Sequence, residues 1–214
     1  MTIQAVIWDF GGVLTSSPFE AFNRYEAERG LPKDLIRRVN ATDPDTNAWA
    51  RFERAEISPQ EFDALFAEES ARLGHRVPGG EVLALLSGDI RPKVVAALEA
   101  CRAVFKVGCI TNNVKAGSGA GMAGSAEKAE AVARIMGLFH HVIESSKAGV
   151  RKPDPRIYAM MVEALEVNPA HCIYLDDLGV NLKPARDMGM ATIKVVSEAQ
   201  ALAELAALTR LPVA

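Results

Sequence analysis

The sequence predicts an α/β protein: a doubly wound parallel sheet carrying an inserted all-helical cap domain. Three observations point there. After residue 90, strand-like apolar runs alternate with helical patterns. One further apolar run, Ile3–Trp8, stands far from the others at the start of the chain. Between them, residues 16–88 show helical patterns and no convincing strand. Strands separated by helices of that length need crossover connections, which make them parallel and cover both faces of the sheet. The core is therefore expected from residues 1–15 and 89–214, and the cap from 16–88.

Taken in order, the first strand ends in "WDFGGVLT", Trp8–Thr15, a buried-looking run that delivers one carboxylate and two glycines. "SPFE" and "SPQE" then read as capping boxes with proline at the first helical position, opening helices at Ser17 and Ser58. "LPKDLIRRVN" and "TNAWARFERAE" add two more helical patterns. In the core, "RPKVVAALEACRAV", "SAEKAEAVARIMGLF", "DPRIYAMMVEALEV", "GVNLKPARDMG" and "SEAQALAELAALT" are helical. Between them "FKVGCITNN", "HVIESS", "CIYLDD" and "ATIKVV" are strands. The stripes Val94, Val95, Leu98 and Ile157, Met160, Met161, Leu165 are expected to face the core.

Composition bounds the function. An apolar share of 49% and a charged share of 24% over 214 residues describe an ordinary globular protein with ample core. The net charge of −3, without a basic block, gives no footprint for nucleic acid or an anionic membrane. No apolar run approaches the ~20 residues that cross a bilayer, and the N-terminus lacks the marks of a signal peptide. Three cysteines, Cys101, Cys109 and Cys172, show no ligand spacing, so a reduced, cytoplasmic protein is expected. His140 and His141 read as the start of a strand rather than as metal ligands. Gly119, Gly121 and Gly124 spell GxGxxG ahead of a helix, with Glu144 twenty residues on. A dinucleotide fingerprint puts its first glycine at the strand end, and here a polar "TNN" and more intervene, so a loop is expected.

The chemistry gathers where an open parallel sheet binds ligands, beyond the carboxyl ends of its strands. Those ends carry Asp9, then Thr111 with Asn112, then Asp176 with Asp177, and "VRKPDP" supplies Lys152 just before a helix. Each has a plain structural reading: a turn at Thr111–Asn112, a helix cap at Asp176–Asp177, a solvated lysine. Together at consecutive strand ends they make a set. Clustered carboxylates repel unless one is protonated or a cation sits among them. Hard oxygen donors suit Mg²⁺. A metal-bound anionic site beside a lysine and a threonine can hold a phosphoryl group, which a carboxylate can attack at phosphorus.

The motifs "WDFGGVLT", "ITNN", "RKPDP" and "YLDDLGVNLKPARDMGM" resemble, in order, the four motifs of the haloacid dehalogenase superfamily, whose core is Rossmann-like. The last two are most similar to the N-terminal phosphatase domain of soluble epoxide hydrolase and the related domain of an acyl-CoA dehydrogenase-like protein. The resemblance implies Asp9 as nucleophile and Mg²⁺ ligand, and Thr111, Asn112 and Lys152 around the phosphoryl oxygens. It implies Asp177 and the backbone carbonyl of Gly11 as further Mg²⁺ ligands, with Asp176 behind them orienting a metal-bound water. A small phosphorylated substrate follows, with substrate choice left to the cap, where Arg37, Arg38, Arg51 and Arg54 could meet an anion but read more simply as solvated helix faces.

One departure stands out. Phosphatases of that family usually carry a second aspartate two positions after the nucleophile, as general acid and base, and here that position is Gly11. Three functions therefore follow: an Mg²⁺-dependent phosphomonoesterase with a weak or substituted acid, a phosphate-binding regulatory protein without turnover, and a metal-independent 2-haloacid dehalogenase. The "DD" pair argues against the last, since that branch carries serine and asparagine there.

Overall fold

The computed structural model describes residues 2–113 and 125–212. The GxGxxG segment lies outside them. The first strand, β1 (Ala5–Trp8), is followed by five helices: α1 (Pro18–Glu28), α2 (Leu35–Ala41), α3 (Ala48–Glu53), α4 (Pro59–Arg72) and α5 (Gly79–Ala84). The alternating part then runs α6 (Pro92–Arg102), β2 (Lys106–Thr111), α7 (Ala126–Met136), β3 (His141–Glu144), α8 (Ser145–Ala148) and α9 (Pro155–Ala164). It closes with β4 (Cys172–Asp176), α10 (Gly179–Asp187), β5 (Ala191–Lys194) and α11 (Glu198–Thr209).

All strand pairs are parallel, in the order β3-β2-β1-β4-β5. The chain starts in the middle, builds outward through β2 and β3, and then returns to add β4 and β5 on the other side. The order reverses beside β1, the kind of switch point where open parallel sheets bind ligands beyond the carboxyl ends of their strands. Register fixes what faces it. Trp8 pairs with Leu175 and with Cys109, so Asp9 emerges level with Asp176 and one residue before Thr111.

Alternation along β1 shows why the sheet is covered twice. Val6 and Trp8 point into an apolar cluster with Val94, Leu98, Val132, Leu202 and Leu205 from α6, α7 and α11. Ala5 and Ile7 point into another with Ile157, Tyr158, Met161 and Leu182 from α9 and α10. Side chains of successive strand residues face opposite ways, so a strand buried on both faces reads as one apolar run. Within the expected stripes, Val94, Leu98, Ile157, Met161 and Leu165 are buried and Val95 packs at the margin, but Met160 is 40% exposed. It sits beyond the edge of the stripe that α9 turns to the sheet.

The helices of 18–84 keep a separate apolar cluster around Phe22, Phe52, Phe62 and Phe66, with Phe52 stacked on Phe62 at 4.7 Å between ring centroids. The two connections to this block run side by side, through an isolated antiparallel bridge between Thr15 and Ile90. A β-carbon on Gly88 would stand 2.4 Å from the carbonyl oxygen of Ser16, so that crossing needs glycine. Ser58 caps α4 with its reciprocal Glu61, as the sequence predicts. Ser17 precedes α1 but makes no capping bond. Its hydroxyl is engaged elsewhere.

Candidate active site

The strand ends beside β1 collect the expected residues. Asp9 follows β1, Thr111 ends β2, Asp176 ends β4 and Asp177 comes next. Lys152 arrives from the segment between α8 and α9, with 1% of its surface exposed. A buried ammonium costs several kcal/mol unless it is paired and hydrogen-bonded. Here Nζ lies 2.8 Å from Oδ1 of Asp9 and 2.8 Å from Oδ2 of Asp176.

Asp176 is fully buried and fully engaged. Its Oδ2 also accepts the Tyr174 hydroxyl at 2.6 Å, its Oδ1 accepts the Leu178 backbone N–H at 2.8 Å, and Asn181 Nδ2 reaches both oxygens at 3.1 Å. Four donors thus fix one carboxylate at the N-terminal end of α10, where the helix dipole also favours negative charge.

Oxygens of Asp9, Asp176 and Asp177 lie within 4.8 Å of one another. With all three ionised against one ammonium, two negative charges remain uncompensated. Burial and that excess raise the carboxyl pKa values. Burial pushes the Asp9 carboxyl well above its usual range; Lys152 pulls it back, and Asp176 and Asp177 push it further up. Burial and then Asp176 raise Asp177 to about 6. Burial alone would lower Lys152, but Asp176 and Asp9 outweigh it and hold the ammonium charged.

Such a cluster fits a hard divalent cation, which wants oxygen donors and few of them from protein. The bonds at Asp9 fall on Oδ1, which also accepts the Phe10 N–H at 2.7 Å, and those at Asp177 include the Ser17 hydroxyl on Oδ2 at 3.2 Å. Asp9 and Asp177 are thus the less committed members, and Asp176 the anchored one. Gly11 follows two residues after Asp9, and a β-carbon built on it meets nothing within 4 Å.

Thr111 is buried at the strand end. Asn112 is bonded to the lysine segment: Oδ1 accepts the Lys152 N–H at 2.9 Å, and Nδ2 donates to the Lys152 carbonyl at 3.0 Å. Sequence reasoning placed Asn112 here but not this clasp, which joins residues 40 positions apart.

It also missed Tyr174, Asn181, Ser17 and Glu53. Tyr174 and Asn181 sit two before and five after Asp176, spacings that a strand followed by a helix turn could have suggested. Glu53, from α3, is buried. It pairs with Arg151 at 2.5 Å and accepts the indole N–H of Trp49 at 2.9 Å. His140 instead accepts the Val107 N–H at the head of the sheet, and the three cysteines are free and buried. No helix among the described residues is long and apolar enough to cross a membrane.

Comparison with known proteins gives this site a family. A model of haloacid dehalogenase-like hydrolases matches residues 3–189. Acyl-CoA dehydrogenase family member 10 of Mus musculus is 32% identical over 98% of this chain, and bifunctional epoxide hydrolase 2 of Sus scrofa is 32% identical over 98%. The chain spans only 19% and 39% of those proteins. A phosphatase of Mycobacterium tuberculosis is 31% identical, matching 89% of this chain and 86% of its own. A haloacid dehalogenase family enzyme of Bacteroides thetaiotaomicron, crystallised with magnesium and inorganic phosphate, superposes with a TM-score of 0.60 at 18% identity. That match covers 92% of this chain and 96% of that one. With the parallel sheet and the strand-end carboxylates in place, the chain belongs to the haloacid dehalogenase-like hydrolases.

Proposed function

We propose that this hydrolase is an Mg²⁺-dependent phosphomonoesterase acting through an aspartyl phosphate on Asp9, on a small phosphorylated substrate. The observation that carries the reading is Lys152 held between Asp9 and Asp176 beside Asp177. That set offers a nucleophile, a fixed positive charge and an anionic cluster that calls for a cation. The name of the phosphatase relative and the magnesium and phosphate in the structural neighbour agree with it.

Asp9, Asp177 and the Gly11 carbonyl would hold Mg²⁺, which supplies positive charge against the phosphoryl oxygens when bound. Asp9 attacks phosphorus; the new O–P bond forms as the bond to the leaving oxygen breaks. Lys152 and Thr111 stabilise the transferring group, and Asn112 keeps Lys152 in register. Water then attacks phosphorus, releasing phosphate and restoring the Asp9 carboxylate. Because Gly11 brings no side-chain acid, the leaving oxygen takes its proton from water. General acid assistance is worth about 10²–10⁴-fold, so slow turnover of poor leaving groups is expected. The helical block of 16–88 acts as the cap over this edge.

Gly11 also favours a second reading, a phosphate-binding protein that does not turn over. A panel of phosphomonoesters, with and without Mg²⁺, on wild type and Asp9→Asn, separates the two. Mg²⁺-dependent phosphate release that Asp9→Asn abolishes supports the enzyme. Tight Mg²⁺-dependent phosphate binding without release supports the binder.

A further inference from the structure

Where the helical block meets the sheet domain, a buried carboxylate bears on the segment that carries Lys152. Glu53, on the last turn of α3, is 5% exposed. Its Oε2 pairs with Arg151 and lies 3.4 Å from Nδ2 of Asn112. Arg151 reaches back to the same block, donating from Nη1 to the Pro44 carbonyl at 2.9 Å. Asn112 clasps both backbone polar groups of Lys152, and Lys152 Nζ touches Asp9 and Asp176. The path from Glu53 to the carboxylate at β1 is therefore continuous: Glu53 to Asn112 and Arg151, then the Lys152 backbone, then its ammonium.

Long side chains such as lysine lose much rotamer freedom when fixed. Lys152 is fixed at its head by two carboxylates and at its backbone by one asparagine. That asparagine and the neighbouring arginine both take a contact from the helical block. Trp49 holds the other oxygen of Glu53, so the carboxylate has one defined direction.

We propose that Glu53 is a positioning residue that makes seating of the helical cap and placement of Lys152 a single event. The proposal rests on the phosphatase reading for its kinetic consequence, though not for the coupling itself. With the cap seated, Glu53 orders Arg151 and Asn112, and the ammonium stands ready for a phosphoryl group. With the cap displaced, Asn112 and Arg151 lose that carboxylate and Lys152 loosens.

Simple electrostatics and positioning predict opposite signs for the same change. Replacing a carboxylate by a neutral amide near an anion site should tighten phosphate binding if charge alone matters. Loss of positioning should weaken it. The test uses the full chain as wild type, Glu53→Gln and Arg151→Lys, with Glu166→Gln as a control at the exposed Lys106–Glu166 pair. Backbone hydrogen exchange at residues 150–152 is followed by mass spectrometry, and inorganic phosphate binding with Mg²⁺ by calorimetry. Glu53→Gln is expected to speed exchange at the Lys152 amide and weaken phosphate binding about tenfold, in the range of losses when supporting partners of a site are removed. Arg151→Lys, which keeps the charge and is the fallback should Glu53→Gln not fold, is expected to do the same more mildly. The control should match wild type. Unchanged exchange, or phosphate bound as tightly or tighter, overturns the proposal. A wild type that neither binds nor releases phosphate overturns the phosphatase reading instead, and exchange still decides the coupling.

Discussion

A β-carbon on Gly12 would stand 2.2 Å from Oδ2 of Asp177, and Gly12 adopts φ +76°. The loop after β1 thus passes so close to Asp177, just past the end of β4, that no side chain fits between. Gly12→Ala is expected to cost about 1–2 kcal/mol from its left-handed backbone alone, and in addition to displace Asp177 and weaken Mg²⁺ binding. Gly30, with φ +62° and open space around it, is the control: Gly30→Ala should show the backbone cost without the metal effect. Thermal unfolding with an Mg²⁺ titration measures both.

Gly11 is the opposite case, since its missing side chain would meet nothing. Gly11→Asp is expected to fold and to raise turnover of alkyl phosphates by more than that of aryl phosphates, whose leaving oxygens need little protonation. A rate series across leaving groups checks this. Equal gain on both classes, or none, means that the acid is not what limits the wild type.

The Asp176 network should be costly to break from one side. Asp176→Asn leaves the buried Lys152 with Asp9 alone and is expected to destabilise by about 3–5 kcal/mol. Tyr174→Phe removes one donor among several and should cost about 1–2 kcal/mol. Chemical denaturation gives both values, and equal costs would contradict the assignment of Asp176 as the anchored carboxylate.

These differences were only partly legible in the sequence. The five strands and Asp9, Thr111 and Asp176 at their ends could be read because a strand buried on both faces leaves an unbroken apolar run. Ser17 could not: "SPFE" fits a capping box, yet its hydroxyl goes 160 residues away to Asp177. The short helix α5 was missed because its two leading glycines give no helical signal. Glu53 looks like any surface glutamate on a helix, and only the docking of α3 near α8 buries it beside Arg151.

The raised Asp177 carboxyl gives a pH signature. Its folded value of about 6 exceeds the ordinary value of 3.8. Between those values the folded state binds more protons than the unfolded one, so this group favours folding at low pH and loses that contribution as pH rises through about 6. In the proposed site, Mg²⁺ would compete with that proton. Its affinity should therefore fall as pH drops below about 6, and the Mg²⁺-induced rise in melting temperature should be larger at pH 7.5 than at pH 5. A pH-independent shift would contradict Asp177 as a ligand.

Trapping the covalent species on Asp9 tests the central claim most directly. Wild-type protein is mixed with Mg²⁺ and an aryl phosphate, quenched in acid, digested and examined by mass spectrometry. A phosphoryl adduct is expected on the peptide containing Asp9, absent without Mg²⁺ and absent in Asp9→Asn. Turnover without any adduct at Asp9, or an adduct that survives Asp9→Asn, would contradict it.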